Sequence, residues 1–316
     1  MTETLLWMND PDVYHRALQE TGLADRLNIQ TLRADGAATP AQLANTEVLL
    51  AWNAPPGVLE RMPKLRWIQA LTVGIDNWLA RPDMREDIVL TCARGSHRVS
   101  MPENILGALF HITKPYAQAT IDQKDSRWVR HVSVPLAGKT LGILGLGAIG
   151  QELAKKAAAL ELRVIGTKRS PASLPCVDKV YAPEDIDAVL SQSDFVLLLL
   201  PLTTQTDCII NAQSLAKMKP TAYLLNFGRG GLIADDDLVA AVESKTIAGA
   251  VLDVYRTEPL PRDHAFWETA GITISPHIGG LAEDRAEIVA SIFSDNVRRF
   301  LGGESLNGVV ERARGY

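Results

Sequence analysis

The stretch Lys139–Gly150, KTLGILGLGAIG, determines how the rest of this 316-residue sequence is interpreted. The apolar run Leu141–Leu144 leads directly into the pattern Gly145-x-Gly147-x-x-Gly150, and the residues that follow favour a helix. Strand, glycine turn and helix in this order are the context in which GxGxxG indicates dinucleotide binding. The first glycine permits a tight turn, the second lets the backbone approach a pyrophosphate, and the third lets the helix pack on the strand. The helix N-terminus then faces the phosphate charge.

Length and composition are those of a soluble globular protein. A chain of 316 residues predicts about two domains. The net charge of −5 argues against nucleic acid and anionic membranes as partners, and Phe195–Leu200, the longest apolar run, is too short to span a bilayer. We see no secretory signal and expect a cytoplasmic protein. Cys92, Cys176 and Cys208 are widely spaced, which favours reduced, buried thiols over disulfides or metal ligands, and we expect no metal.

Apolar runs alternate with helical patterns along the chain, which predicts parallel α/β sheets. We predict strands at Thr4–Met8, Val48–Trp52, Leu65–Ala70, Ile88–Cys92, Leu141–Leu144, Leu162–Thr167, Phe195–Leu200, Ala222–Asn226, Ala248–Val254 and Ile272–Ser275. We predict long helices at Pro102–Gln118 and Ala282–Leu301. The pattern indicates two doubly wound parallel-sheet domains, Rossmann-like or flavodoxin-like, with a cleft between them. Residues 1–101 plus 283–316 would form a substrate-binding lid domain, and residues 102–282 the dinucleotide-binding domain.

Three loops in the second half each follow a predicted strand and carry one distinctive side chain: Arg229, Glu258 and His277. Ligands of open α/β sheets bind beyond the carboxyl ends of the strands, so these side chains should share an edge with the glycine turn. Each has an ordinary alternative, as a turn cap, a solvated carboxylate or a half-buried histidine. Their joint arrangement favours a catalytic role.

The three side chains suit reduction of a 2-oxo acid by a nicotinamide cofactor. Hydride transfer to a carbonyl carbon leaves an oxygen that needs a proton, and His277 is a natural acid near neutral pH. Glu258 would orient the imidazole and favour its protonated form. Arg229 can bind a substrate carboxylate and polarise the adjacent carbonyl.

These motifs resemble those of the D-2-hydroxyacid dehydrogenases, and the resemblance covers essentially the whole chain. It is strongest over residues 146–150, 226–230, 253–259 and 275–279, and softer over 73–77, 93–95 and 200–203. The resemblance implies that Arg229, Glu258 and His277 are catalytic, with His277 as proton donor. It implies that the substrate is bound by Val73, Gly74, Arg229 and His277. It implies cofactor binding by Gly145, Gly147, Ala148, Ile149, Gly150, Pro201, Thr206 and Asp253, and a homodimer joined through the cofactor domains.

Two positions depart from the pattern of many relatives. Asn104 stands where His or Tyr is frequent, and Gly280 where Ala or Ser is frequent; neither is one of the three catalytic candidates.

The segment after the second strand of the cofactor domain indicates which nucleotide is used. An NAD site usually has Asp or Glu about 20 residues beyond the glycines, where it bonds the ribose 2′-hydroxyl. Here the sequence reads Thr167-Lys168-Arg169-Ser170, with no carboxylate. Lys168, Arg169 and Ser170 suit a 2′-phosphate, which predicts NADP(H) in preference to NAD(H).

Several activities stay open. The favoured one is reduction of a small 2-oxo acid such as glyoxylate or hydroxypyruvate, with Trp52, Asn53, Trp78 and Trp267 as candidates for shaping the pocket. A second is a phosphite or formate dehydrogenase on the same scaffold. A third is a nucleotide-sensing corepressor or scaffold without turnover, which would not need Arg229, Glu258 and His277 together. A methyltransferase would leave the same three residues without a role.

Overall fold

The computed structural model of the protein describes residues 1–312; residues 313–316, the end of the predicted lid domain, lie outside the described residues. The chain divides into two compact units. The first contains Met1–His97 and the described residues from Ala282 onward, and the second contains Arg98–Leu281. Each unit has a sheet whose paired strands are all parallel, with helices connecting them. The predicted fold class of two doubly wound parallel sheets is therefore confirmed.

The first unit has a flavodoxin-like sheet with the strand order β2-β1-β3-β4-β5. Its strands are β1 Thr2–Trp7, β2 Leu27–Leu32, β3 Val48–Ala51, β4 Trp67–Ala70 and β5 Val89–Thr91. Its helices are Asp12–Glu20, Pro40–Asn45, Asp76–Leu79 and Arg285–Gly302, with short 3₁₀ turns at Ala24–Arg26 and Leu59–Arg61. The returning helix is anchored on the sheet because Phe293 and Phe300 pack on the buried ring of Trp67, at 5.5 and 5.4 Å between ring centroids.

The second unit has a Rossmann-like sheet with the strand order β12-β11-β10-β9-β6-β7-β8. Its strands are β6 Thr140–Leu144, β7 Arg163–Thr167, β8 Lys179–Tyr181, β9 Phe195–Leu198, β10 Tyr223–Asn226, β11 Gly249–Leu252 and β12 Ile272–Ile274. Its α-helices are Ser100–Thr113, Tyr116–Lys124, Ala148–Ala159, Ile186–Gln192, Ala212–Leu215 and Asp235–Glu243, and its 3₁₀ turns are Pro183–Asp185, Gly230–Leu232 and Ala265–Trp267. The strand order reverses between β6 and β9, which is where such sheets bind ligands.

The structure corrects three local predictions. Strands β2 and β8 were not predicted; β2 is a half-exposed edge strand with mixed polarity, and β8 is only three residues long. The predicted helix Pro102–Gln118 is two helices, because Pro115 removes a backbone donor and disfavours helical geometry at the residue before it. Lys114 is accordingly extended, with φ −117° and ψ 137°.

The cysteines are free, but the expectation that all three are buried is wrong. Cys92 is buried, Cys176 is exposed and Cys208 is half-buried. Within residues 1–312, no helix combines the length and apolarity needed to cross a membrane. Over the same range, no grouping of His, Cys, Asp and Glu is arranged to hold a metal ion.

Candidate active site

Two of the three glycines in the turn after β6 are required by close backbone contacts, and the third leaves open space. Gly145 has φ +109°, and a Cβ there would lie 2.8 Å from the carbonyl oxygen of Leu199. A Cβ on Gly150 would lie 2.8 Å from the carbonyl oxygen of Gly145, so helix and turn pack backbone to backbone. Gly147 is different, because no heavy atom of residues 1–312 lies within 4 Å of its added Cβ. The backbone at Gly147 is therefore open to a close ligand, as a pyrophosphate site requires.

The helix that starts after the glycine turn, Ala148–Ala159, has an N-terminus without a side-chain cap among the described residues. Its N-cap is Gly147, and its first turn contains no acidic residue. The first N–H groups of a helix have no partner within the helix and carry a partial positive charge. Together with the open backbone at Gly147, this arrangement fits the pyrophosphate of a dinucleotide.

The residues proposed to select the nucleotide lie beside the glycine turn. The backbone N–H of Leu146 donates to the carbonyl of Thr167, the last residue of β7, at 2.9 Å. Lys168 follows directly and is half-buried, while Arg169 and Ser170 are exposed. The end of β7 therefore presents cations and a hydroxyl, with no carboxylate among these four residues.

Two further residues of the predicted cofactor set lie in the loop after β9 and rigidify it. The hydroxyl of Thr206 donates to the carbonyl of Pro201 at 2.7 Å and accepts from the N–H of Thr203 at 2.8 Å. The loop continues through Asp207 to Cys208. The Thr206 hydroxyl thus stabilises the loop, and the Pro201 carbonyl accepts one of its hydrogen bonds.

The loop that carries Arg229 is fixed by a buried asparagine at the end of β10. The side chain of Asn226 donates to the carbonyl of Arg229 at 2.9 Å and accepts from the N–H of Gly228 at 3.1 Å. The half-buried guanidinium of Arg229 donates to the carbonyl of Gly228 at 2.8 Å. At the next position, an added Cβ on Gly230 would lie 1.9 Å from the carbonyl carbon of Tyr255, so the loops after β10 and β11 touch through their backbones.

Glu258 and His277 form a direct pair. Oε2 of Glu258 lies 2.7 Å from Nδ1 of His277, and Oε1 accepts from the N–H of Tyr255 at 2.9 Å. The histidine side chain is 51% exposed, and in the described part of the chain its Nε2 has no protein hydrogen-bond partner. With Nδ1 committed to the carboxylate, Nε2 is the atom that can deliver a proton to a ligand.

The turn that carries His277 is held by the side chain of Asp253. His277 has φ +54°, a left-handed geometry that requires support from its surroundings. The buried carboxylate of Asp253 accepts from the N–H groups of Ile278 and Gly279 at 2.9 and 2.8 Å and from the Ser275 hydroxyl at 2.6 Å. Asp253 was predicted to bind the cofactor; within residues 1–312, the hydrogen bonds of its side chain all go to this turn.

Asn104 is a supporting residue whose effect the sequence did not reveal. Its side-chain amide, on helix Ser100–Thr113, donates to the carbonyl of Gly279 at 3.0 Å. Asn104, one of the two positions that depart from the pattern of many relatives, therefore contacts the turn that carries His277. A helix residue gives no local signal of such a contact, which depends on tertiary packing.

Arg256 was also not singled out by the sequence. Its Nη2 donates to the carbonyls of Gly231 and Ile233, at 3.1 and 3.0 Å, and lies 3.1 Å from Sγ of Cys208. Nη1 pairs with Asp207 at 3.2 Å. One guanidinium thus joins the loops that follow β9, β10 and β11.

Val73 and Gly74, predicted to bind the substrate carboxylate, belong to the first unit and follow β4. Both are half-buried, and the hydroxyl of Thr72 donates to the carbonyl of Gly74 at 2.6 Å. The structure therefore places the predicted site residues in two groups. The second unit contains the glycine turn, Arg229, Glu258 and His277, and the first contains Val73 and Gly74.

Comparison with known proteins places these features in one family. A model of the D-isomer specific 2-hydroxyacid dehydrogenase NAD-binding domain matches residues 106–279. The chain is 33% identical over 248 residues to an (S)-sulfolactate dehydrogenase from Chromohalobacter salexigens, covering 78% of this chain and 80% of that one.

Solved structures agree over the full length. A D-isomer specific 2-hydroxyacid dehydrogenase family protein from Aeromonas salmonicida superposes with a TM-score of 0.88 at 31% identity, covering 99% of this chain and all of that chain. An NADPH-dependent glyoxylate/hydroxypyruvate reductase from Sinorhizobium meliloti, solved with NADP and sulfate, superposes with a TM-score of 0.85 at 26% identity, covering both chains completely.

The chain belongs to the D-isomer specific 2-hydroxyacid dehydrogenase family. It is accordingly an NAD(P)-dependent 2-hydroxyacid dehydrogenase with a Rossmann cofactor domain, as the resemblance predicted.

Proposed function

We propose that the protein uses NADPH to reduce a small 2-oxo acid to the D-2-hydroxy acid. The observation that supports this most strongly is the Glu258–His277 pair, whose Nε2 is left open at the sheet edge that also carries Arg229 and the glycine turn. The substrates we favour are glyoxylate, hydroxypyruvate and related acids, which the name of the Sinorhizobium meliloti neighbour supports.

The proposal assigns the binding and proton-transfer steps to named residues. When bound, the nicotinamide supplies the hydride that is added to the carbonyl carbon of the substrate. Arg229 binds the substrate carboxylate and polarises the carbonyl, and the backbone of Val73 and Gly74 binds the same carboxylate. Nε2 of His277 donates the proton to the carbonyl oxygen, and Glu258 keeps the ring oriented through Nδ1. Gly145, Gly147, Ala148, Ile149 and Gly150 would hold the pyrophosphate.

The activity is tested by the loss of NADPH and NADH absorbance with glyoxylate, hydroxypyruvate, pyruvate, 2-oxobutyrate, 2-oxoisocaproate and phenylpyruvate. Turnover of at least one acid with NADPH is expected. Nucleotide binding without turnover of any acid would contradict the proposal and favour the sensor or scaffold alternative, or a phosphite or formate dehydrogenase.

We propose that Lys168, Arg169 and Ser170 bind the 2′-phosphate and make NADP(H) the preferred cofactor. The double variant Lys168→Asp/Arg169→Ala should lower the ratio of kcat/KM for NADPH to that for NADH by at least about tenfold, because it removes two cations from a phosphate. The control, Arg61→Ala/Lys64→Asp, makes the same charge change at exposed positions of the first unit. An unchanged ratio in the first double variant would contradict this cofactor assignment.

We propose that the protein is a cytoplasmic homodimer without a nucleic-acid partner. Several apolar side chains are exposed on the helices Ser100–Thr113 and Tyr116–Lys124 and on the segment that follows: Phe110 39%, Tyr116 80%, Ile121 50%, Trp128 93% and Val132 94%. Exposed apolar patches mark interfaces, and these side chains all belong to the continuous segment 110–132. Light scattering should give the mass of a dimer for the wild type and a smaller mass for Trp128→Ser. The control Trp267→Ser, at a tryptophan that is 53% exposed, should stay dimeric.

A further inference from the structure

Arg285 is a half-buried cation in the first unit that forms no ion pair with a carboxylate of the described residues. It is the first residue of helix Arg285–Gly302, and its Nη2 donates to the carbonyl of Leu71. Its guanidinium carbon lies 5.0 Å from the ring centre of Trp52, over the indole. Among residues 1–312, these are its hydrogen-bond and ring partners, and no Asp or Glu forms an ion pair with it.

The position of Arg285 is at the ligand-binding edge of the first sheet. Trp52 directly follows β3 and Leu71 directly follows β4, and these strands are parallel neighbours, with Ala51 opposite Ala70. Ligands of α/β sheets bind at this carboxyl edge. The residues that continue from Leu71 include Val73 and Gly74, the proposed binding backbone for the substrate carboxylate.

The chemistry of Arg285 is that of an anion receptor. A guanidinium carries five N–H donors in a plane, and among residues 1–312 the Leu71 carbonyl is the one protein acceptor for this guanidinium. Stacking on Trp52, which is 52% exposed, fixes the plane while leaving the donor edge available. Burial lowers the pKa of Arg285, as expected for a partly desolvated cation that no protein carboxylate compensates. Carboxylates and phosphates match this fork bidentately.

We propose that Arg285, oriented by Trp52, is a subsite for a second anionic group of the substrate. The preferred substrates are then 2-oxo acids with a carboxylate, sulfonate or phosphate in addition to the carboxylate next to the carbonyl. This inference rests on the proposed function, because it extends the same substrate site.

The test compares acids that differ in the second charge. Oxaloacetate, 3-sulfopyruvate and 3-phosphohydroxypyruvate are assayed beside 2-oxobutyrate and hydroxypyruvate, with NADPH, on wild type and Arg285→Ala. The wild type should favour at least one dianion. The variant should lose about 10- to 100-fold in kcat/KM for that dianion, mainly through KM, since a hydrogen bond between charged groups is worth about 1.5–3 kcal/mol. The monoanions should change less than about threefold. The three dianions distinguish which second group is preferred.

Matched variants separate recognition from folding. Arg66→Ala removes another arginine of the same unit that stacks on a ring, that of Phe300 at 4.8 Å, and should leave the ratio of dianion to monoanion unchanged. Arg285→Lys keeps the charge and should retain part of the preference. If Arg285→Ala fails to fold, Arg285→Gln and Arg285→Lys provide the comparison.

The outcomes distinguish this inference from the proposed function. If the monoanionic acids are reduced but Arg285 confers no preference for dianions, the subsite is contradicted and the proposed function stands. If no acid is reduced, the proposed function fails, and the subsite is then judged by calorimetric titration with tartronate and glycolate. Tighter binding of tartronate that Arg285→Ala abolishes supports the subsite, and equal binding of the two acids contradicts it.

Discussion

The guanidinium of Arg256 donates a hydrogen bond to the carbonyl of Gly231 at 3.1 Å. It thereby joins the loop that carries Glu258 to the loop that carries Arg229. A Cβ on Gly230 would overlap the backbone of Tyr255 at the same junction, so the two loops also meet without intervening side chains. The distance between Arg229 and the loop of Glu258 is therefore set by this backbone contact. The hydrogen bond from Arg256 stabilises the same contact.

Arg256 is accordingly a positioning residue. Arg256→Ala should lower kcat for 2-oxo acid reduction by about 10- to 100-fold, because a displacement of about 1 Å in a reacting group can have that effect. The KM for NADPH should change little, and Arg256→Lys should recover part of kcat. The control is Arg262→Ala, at an exposed position on the next loop segment. A kcat for Arg256→Ala equal to that of the control would show that the junction does not need this side chain.

Gly230 and Gly107 give opposite expectations for the same substitution. Gly230→Ala places a methyl group 1.9 Å from the carbonyl carbon of Tyr255 and should lower the free energy of unfolding by about 1–3 kcal/mol, as overpacking does. Gly107 lies inside helix Ser100–Thr113, and no heavy atom of residues 1–312 lies within 4 Å of its added Cβ. Gly107→Ala should raise the free energy of unfolding by about 0.5–1 kcal/mol. Urea unfolding of the two variants measures both; equal effects of the same sign would refute the steric assignment.

Asp122 predicts a pH-dependent contribution to stability. Hydrogen bonds from His131 at 2.6 Å and Arg127 at 2.7 Å lower its pKa from 3.8 to about 2. A folded-state pKa below the unfolded value stabilises the fold above the unfolded pKa, and this contribution is lost as the pH falls through the folded pKa. Asp122→Asn should therefore be less stable than wild type at pH 6, and the difference should shrink between about pH 4 and pH 2.

Urea unfolding over this pH range tests whether Asp122 has the lowered pKa. The control is Asp263→Asn, the same substitution at an exposed position. A difference between Asp122→Asn and wild type that is the same at pH 6 and below pH 3 would contradict it.

The position of the three catalytic candidates at one sheet edge was predictable from the sequence because parallel sheets impose a rule. All the parallel strands end at the same edge, so a residue in the loop after a strand has a predictable place. Arg229, Glu258 and His277 lie in the loops after β10, β11 and β12. The glycine turn was predictable for a related reason. At Gly145 and Gly150 a Cβ would clash with a backbone carbonyl oxygen, and such turns require glycine at these positions for that reason.

The supporting contacts were not predictable because they join segments distant in sequence. Asn104 reaches Gly279 across 175 residues, and Asp253 reaches the same turn across 26. Nothing local distinguishes these residues from an exposed helix amide or a buried strand-end carboxylate. Strand β2 was missed for another reason: an edge strand that is only partly buried has no strong apolar pattern.

The most direct test of the account is the effect of His277→Ala on catalysis and on nucleotide binding, measured together. NADPH oxidation with the best acid should fall by about 100- to 10,000-fold in kcat, because proton donation by a positioned side chain contributes about that much. The Kd of NADPH, measured by fluorescence titration, should stay within about threefold of wild type, since the nucleotide is assigned to the glycine turn. The control His111→Ala, at an exposed helix position, should be unchanged in both. A kcat for His277→Ala close to that of wild type would contradict the assignment of His277 as the proton donor.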